Sequence, residues 1–187
     1  MVRLISPARA RRILDRYAGW IDAVSARYGV PSRLIRAILF QEMTTIDLMD
    51  PLADLAVLVG LFGKKDSSTG YAQIFGYVGL NAVNFAVDRG LATYESLGVR
   101  SDHRLNPDDP ADVRAIWKLL RRDPRANIEI ATLNLLMAAQ EMTGRLDFDS
   151  FTDDELKLVM TRYNADVKHI TLYGEQVFVY YECGTGA

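Results

Sequence analysis

The stretch from Pro124 to Thr143 limits the possible folds of this chain more than any other. Drawn as a helix, it carries Ile128, Ala131, Leu135, Ala138 and Met142 on one face and Ile130, Leu133 and Met137 on the opposite one. A helix that is apolar nearly all round is stable only where neighbours cover it on every side. The remaining segments must therefore form a shell around it, which predicts a mostly α fold with a buried central helix. With 187 residues the chain reads as a single domain, 1–187. A domain of that size buries roughly 70% of its unfolded surface and needs no disulfide or metal staple.

Start and stop signals place the shell. Ser6-Pro7 opens a helix on which Ile13, Leu14, Tyr17, Ile21, Val24 and Tyr28 recur at helical spacing, ending at Gly29. Pro31-Ser32 opens a second helix through Met43, and Asp50-Pro51 opens a third to Gly63. Lys64 to Gly70 is a polar loop, and Tyr71 to Phe75 is a short run that could be extended. Leu80 to Val87 predicts a helix stopped by Gly90, and the proline-bearing stretch Ser101 to Pro110 reads as an exposed connection. Asp109-Pro110 and Asp123-Pro124 each open a helix. Thr152 with Glu155 has the pattern of a capping box, opening a helix to Tyr163. In the tail, Ile170 to Glu182, the run VFVYY suits a strand by propensity. Tyr173, Val177 and Tyr180 keep a helical spacing, and a helix is expected.

Charge and composition exclude several functions. Twenty-two Lys and Arg against 24 Asp and Glu leave a net charge of -2, with no electrostatic basis for nucleic acid as partner. One cysteine, Cys183, permits no internal disulfide, and His103 and His169 are too few and too far apart for a zinc site, so neither metal nor cofactor is expected. No membrane span is expected, since the longest apolar run, Leu55 to Phe62, is interrupted by Gly60 and too short for a bilayer. The N-terminus is basic but lacks the apolar core of a cleaved secretory signal.

Glu42 is the anomaly in this pattern. At 100° per residue from Leu34, Ile35, Ile38 and Leu39 fall at about 100°, 40° and 140°, and Glu42 at about 80°, inside the apolar stripe. Arg33, Arg36 and Phe40 fall on the other side, leaving no cation at i±4 spacing. Two readings stand. In one, the stripe ends at Leu39 and Glu42 sits at its rim in water. In the other, desolvation raises the pKa of a carboxyl group kept among aliphatic side chains, which suits a general acid for glycoside cleavage.

Four blocks in order give the second reading a context: YGVPSRLIRAILFQE (28–42), SSTGYAQI (67–74), NIEIATLNLL (127–136), and RYNAD (162–166) followed by YGEQV (173–177). Together they resemble the lysozyme-like superfamily, specifically soluble lytic transglycosylases and goose-type lysozymes. The resemblance implies a mostly α, α+β lysozyme-like fold with a small extended segment at a cleft. It implies a muramidase that cleaves the β-1,4 bond between N-acetylmuramic acid and N-acetylglucosamine in peptidoglycan glycan strands, acting at the bacterial cell wall. Glu42 would be the general acid and later the base. Ser68, Tyr71 and Gln73 would position sugar or the acid, and Tyr163 and Asn164 would pack and hydrogen-bond behind it. The chain departs from the family at Met43, Ala72 and Asp166, which stand where the family has Ser, Met and Gly. A non-catalytic helical module of the same fold, binding glycan or a protein partner, is the alternative. A monomer is expected, and a role as an antibacterial toxin would imply a cognate inhibitor or immunity protein.

Asp66 decides the expected mechanism. As a second catalytic carboxylate near Glu42 it would activate water for hydrolysis; without one, the lytic route to an anhydro sugar follows. Asp66 also reads as a turn residue bonding a nearby amide, as Asp does in loops. Ser67 and Ser68 have no nearby His to activate them, His169 reads as a surface residue, and Trp20 and Trp117 read as core.

Overall fold

The computed structural model describes residues 5–45 and 68–184, so the expected helix over 51–63 and the acid Asp66 lie outside the described residues. The described chain is mostly helical, with one two-stranded hairpin. The helices are α1 (Pro7–Arg16), α2 (Ala18–Tyr28), α3 (Ser32–Thr44), α4 (Gly76–Asp88), α5 (Pro110–Arg122), α6 (Pro124–Thr143), α7 (Asp153–Asn164) and α8 (Leu172–Cys183). Strands β1 (Ser68–Thr69) and β2 (Ile74–Phe75) pair antiparallel, Ser68 opposite Phe75 and Thr69 opposite Ile74.

Helix α6 is the central helix that its sequence demands. Every residue from Ala126 to Leu136 is buried, and α2, α3, α4, α5 and α7 all pack against it. The Asp123 carboxylate caps it by accepting from the Arg125 and Ala126 amides, and Gly144 ends it in the left-handed conformation. Its buried acid, Glu129, is paired: Oε1 accepts from Arg27 Nη1 and from the Tyr28 hydroxyl, each at 2.7 Å. Such a pairing is the condition for keeping a carboxylate in a core. The capping box is formed as expected, Thr152 and Glu155 each bonding the other's backbone N–H. The tail is a helix despite its β-prone residues, because α3 and α7 give it two surfaces to pack on.

Three elements differ from expectation. The first helix is two, since Tyr17 leaves helical geometry (φ -100°, ψ 11°) and Gly19, a weak helix former, follows at once. A period of apolar residues runs on across such a change of axis, so spacing alone does not detect it. Helix α4 begins at Gly76 rather than Leu80, because α5 crosses its glycine-bearing first turns: a Cβ at Gly79 would lie 3.0 Å from Leu120 Cδ1. Packing outweighs propensity there. Helix α3 is buried on more than one side, with Phe40, Gln41 and Met43 in the interior. The Phe40 ring, expected on the polar side, meets Tyr180 of α8 edge-on with centroids 4.9 Å apart. Among the described residues no helix is long and apolar enough to cross a membrane.

Helix α8 lies against α7 at Gly174. A Cβ there would sit 2.2 Å from Thr161 Oγ1 and 2.6 Å from the Lys157 carbonyl oxygen, so only glycine permits this approach. Gly174→Ala should therefore destabilise the fold by about 1–3 kcal/mol, the usual cost of overpacking. Urea unfolding monitored by circular dichroism measures this, and a variant as stable as the parent would show that α8 does not pack this closely.

Candidate functional site

The hairpin is held in place from two sides. Asn127, fully buried near the start of α6, donates from Nδ2 to the Thr69 carbonyl (3.2 Å) and accepts at Oδ1 from the Ala72 amide (2.9 Å). Gly70 passes directly over this side chain with φ +77°, and a Cβ on it would lie 2.2 Å from Asn127 Nδ2. From α7, the buried Tyr163 hydroxyl donates to the Ala72 carbonyl at 2.9 Å. Ala72 is thus gripped at both its N–H and its C=O, by two helices. Gln73 follows at φ +43°, a left-handed conformation that costs a non-glycine residue roughly 1–2 kcal/mol. Its Nε2 donates back to the Gly70 carbonyl at 2.9 Å and closes the turn.

The grip sets the hairpin beside the last turn of α3, where Glu42 is half-buried. The two flank a cavity of about 290 Å³. Glu42 comes from α3, Gln73, Ile74 and Phe75 from the hairpin, and Tyr77, Val78 and Asn81 from α4. Asn134 and Met137 come from α6, and Arg162, Tyr163, Asn164 and Asp166 from the end of α7 and just beyond it. The Tyr173 hydroxyl, at the start of α8, donates to Glu42 Oε1. Burial pushes the Tyr173 and Tyr163 phenols well above their usual range, and the negative charge of Glu42 pushes them further. Both therefore stay neutral, and Tyr173 stays a hydrogen-bond donor to the carboxylate. A half-buried carboxyl group among side-chain amides and an aromatic wall can bind a polar, uncharged ring and exchange a proton with it.

Of the residues expected from sequence, Glu42, Gln73, Tyr163 and Asn164 are gathered around this cavity. Tyr163 does so through the hairpin, bonding Ala72, while Asn164 is exposed at the rim. Tyr71 differs from its expected position facing the cleft: it is not among the cavity-lining residues, and its ring packs on Tyr17 with centroids 5.9 Å apart. The four-residue turn, Gly70 to Gln73, explains this, because the left-handed Gln73 brings its own side chain to the cavity while Tyr71 leaves the turn toward Tyr17, between α1 and α2. Ser68 contributes a strand position opposite Phe75, and Asp66 lies outside the described residues. Sequence reasoning gave no role to Tyr173, Asn134 or Arg162. Tyr173 was hidden because helical spacing places it in the apolar stripe of α8. Asn134 falls inside the apolar pattern of α6, where a buried amide is itself a signal.

No protein-family model matches the chain, and no match is found among curated proteins or solved structures. Among the described residues no group of three His, Cys, Asp or Glu side chains is placed to hold a metal ion.

The neutral phenols make stability depend on alkaline pH. Tyr28 is pushed up to about 12, by burial first and then by its bond to Glu129, while Tyr163 and Tyr173 are also raised. Above pH about 10 an unfolded tyrosine loses its proton and these native ones keep theirs. The native state then binds more protons, so stability is full below about pH 10 and falls as pH rises beyond it. Tyr173→Phe should make that fall shallower by up to about 1.4 kcal/mol per pH unit between pH 10 and 11.5. Urea titrations across this range measure the slope, and an unchanged slope would mean that Tyr173 ionises as in the unfolded chain.

Proposed function

We propose that this chain is a peptidoglycan-cleaving muramidase of lysozyme-like fold, with Glu42 as its general acid and later its base. The carrying observation is the placement of Glu42: half-buried at the end of α3, bonded by Tyr173, and sharing one cavity with the Gln73 turn. These elements are the ones whose sequence blocks prompted the reading, and they converge although 131 residues separate Glu42 from Tyr173. The side-chain amides of Asn81, Asn134 and Asn164 suit the hydroxyl and acetamido groups of an amino sugar, and Phe75 and Tyr77 offer ring faces for stacking. In the reaction, Glu42 gives its proton to the oxygen that leaves C1, while Tyr173 holds the carboxyl group in one orientation.

Glu42→Gln keeps an acceptor for the Tyr173 hydroxyl but has no proton to give. It should abolish clearing of purified cell-wall sacculi, a loss of about a hundredfold or more, with little change in melting temperature. Turbidity clearing and thermal unfolding measure the two. A Gln variant that lyses like the parent overturns the assignment. Sacculus binding by the parent without release of soluble fragments would instead identify a non-catalytic glycan-binding module.

A further inference from the structure

The net charge of -2 conceals a strong asymmetry along the chain. The first 36 residues hold eight Arg and two Asp, a net charge of +6, while the rest holds 14 Lys and Arg against 22 Asp and Glu, a net charge of -8. Folding gathers part of the positive end on one face. Arg9, Arg12 and Arg16 of α1 are exposed and fall within about 60° of one another around the helix axis, a stripe roughly 10 Å long. Arg33 is exposed at the start of α3, on which α1 packs. Elsewhere arginines are neutralised: Arg27 pairs with Glu129, Arg104 with Asp88, Arg145 with Glu155 and Arg162 with Glu141. Among the described residues no carboxylate is in ion-pair contact with Arg9, Arg12 or Arg16, and Asp15, the one acid of α1, stands at the edge of the stripe. The stripe also runs against helix stability. Arg12 is three residues from Arg9 and four from Arg16, spacings at which like charges repel. Arg9 stands in the first turn, where the macrodipole favours an acid and none is present. Departures of this kind from local helix rules are where a chain's functional surfaces are found.

We infer that the exposed face of α1 is a docking surface for an anionic phospholipid bilayer, met peripherally through the lipid phosphates. A guanidinium matches a phosphate with two parallel N–H donors and keeps its charge at any relevant pH. A single exposed helix is convex, so it suits a flat array of phosphates rather than a small ligand that must be enclosed. The other exposed positions of α1 are Pro7, Ala8 and Asp15. They offer no aromatic ring for a base to stack on and no large apolar side chain to insert between acyl chains. The contact is therefore electrostatic, and the acidic remainder of the chain, repelled by the same surface, turns α1 toward it. Of the described residues lining the Glu42 cavity none comes from α1, so this inference does not rest on glycan cleavage.

Sedimentation of the full chain with lipid vesicles tests it. The parent should bind vesicles containing phosphatidylglycerol and not those of phosphatidylcholine alone, and added salt should release it. Each arginine near such a surface is worth about a fivefold change in partition, so Arg9→Gln, Arg12→Gln and Arg16→Gln together should weaken binding by roughly a hundredfold. The melting temperature of that variant should be no lower than the parent's, because like-charge repulsion is relieved. Arg100→Gln, Arg114→Gln and Arg122→Gln together remove the same charge from other exposed positions and should leave binding within a few-fold of the parent. Equal losses in the two triple variants would assign binding to overall charge and overturn the α1 surface. No binding to phosphatidylglycerol vesicles, or equal binding to both vesicle types, overturns it as well. Binding to a DNA duplex without binding to vesicles would make the face a nucleic-acid surface instead. Release from vesicles by inorganic phosphate beyond that by chloride at equal ionic strength would make it a site for free phosphate, and the bilayer would be excluded.

Discussion

The carboxamide of Asn127 is the constraint on which the site depends. Buried in the core, it bonds both arms of the hairpin turn, and it can do so only because Gly70 lets the backbone pass across it. Replacing it by an apolar group would strand the Thr69 carbonyl and the Ala72 amide, at about 1–3 kcal/mol for each buried group left without a partner. Without that anchor the hairpin would lose one of the two helices that hold it, and strands of two residues are not stable by themselves.

Once the hairpin is anchored, the acid's surroundings follow from helix packing. Helix α3 must be buried on several sides to support Phe40 and Met43, and this brings its last turn against α8. Gly174 lets α8 approach α7, and the residue beside it, Tyr173, reaches Glu42. Tyr163, two residues beyond the close contact at Thr161, reaches the hairpin instead. Two phenols from adjacent helices thus do different work, one orienting the carboxyl group and the other the turn that faces it.

The surroundings of Glu129 and Glu42 show how burial and pairing are balanced. Glu129 sits in the core with both a guanidinium and a phenol on the same oxygen, which stabilises its charge and ties α2 to the central helix. Glu42 accepts from a phenol at the wall of a cavity. The first arrangement holds a structure together, while the second sets a carboxyl group at the wall of a cavity.

Local signals in the chain determined the elements that make their own boundaries. Asp109, Asp123 and Thr152 cap helices where their side chains can reach free amides, and Gly29, Gly90 and Gly144 end helices where only a residue without Cβ turns left-handed at little cost. The all-round apolar pattern of Pro124–Thr143 likewise dictated a buried central helix, because no other placement removes both faces from water. The in-stripe position of Glu42 was readable for the same reason. What tertiary structure alone decided is everything that depends on two distant segments meeting: the start of α4 at Gly76, the break at Tyr17, and the turn of Tyr71 toward Tyr17. The bond from Tyr173 to Glu42 and the placement of Asp166 in the same cavity belong with these. Periodicity records which face of an element is apolar, but not which neighbour covers it or at what distance, and a site made by five helices and a hairpin exists only in those distances.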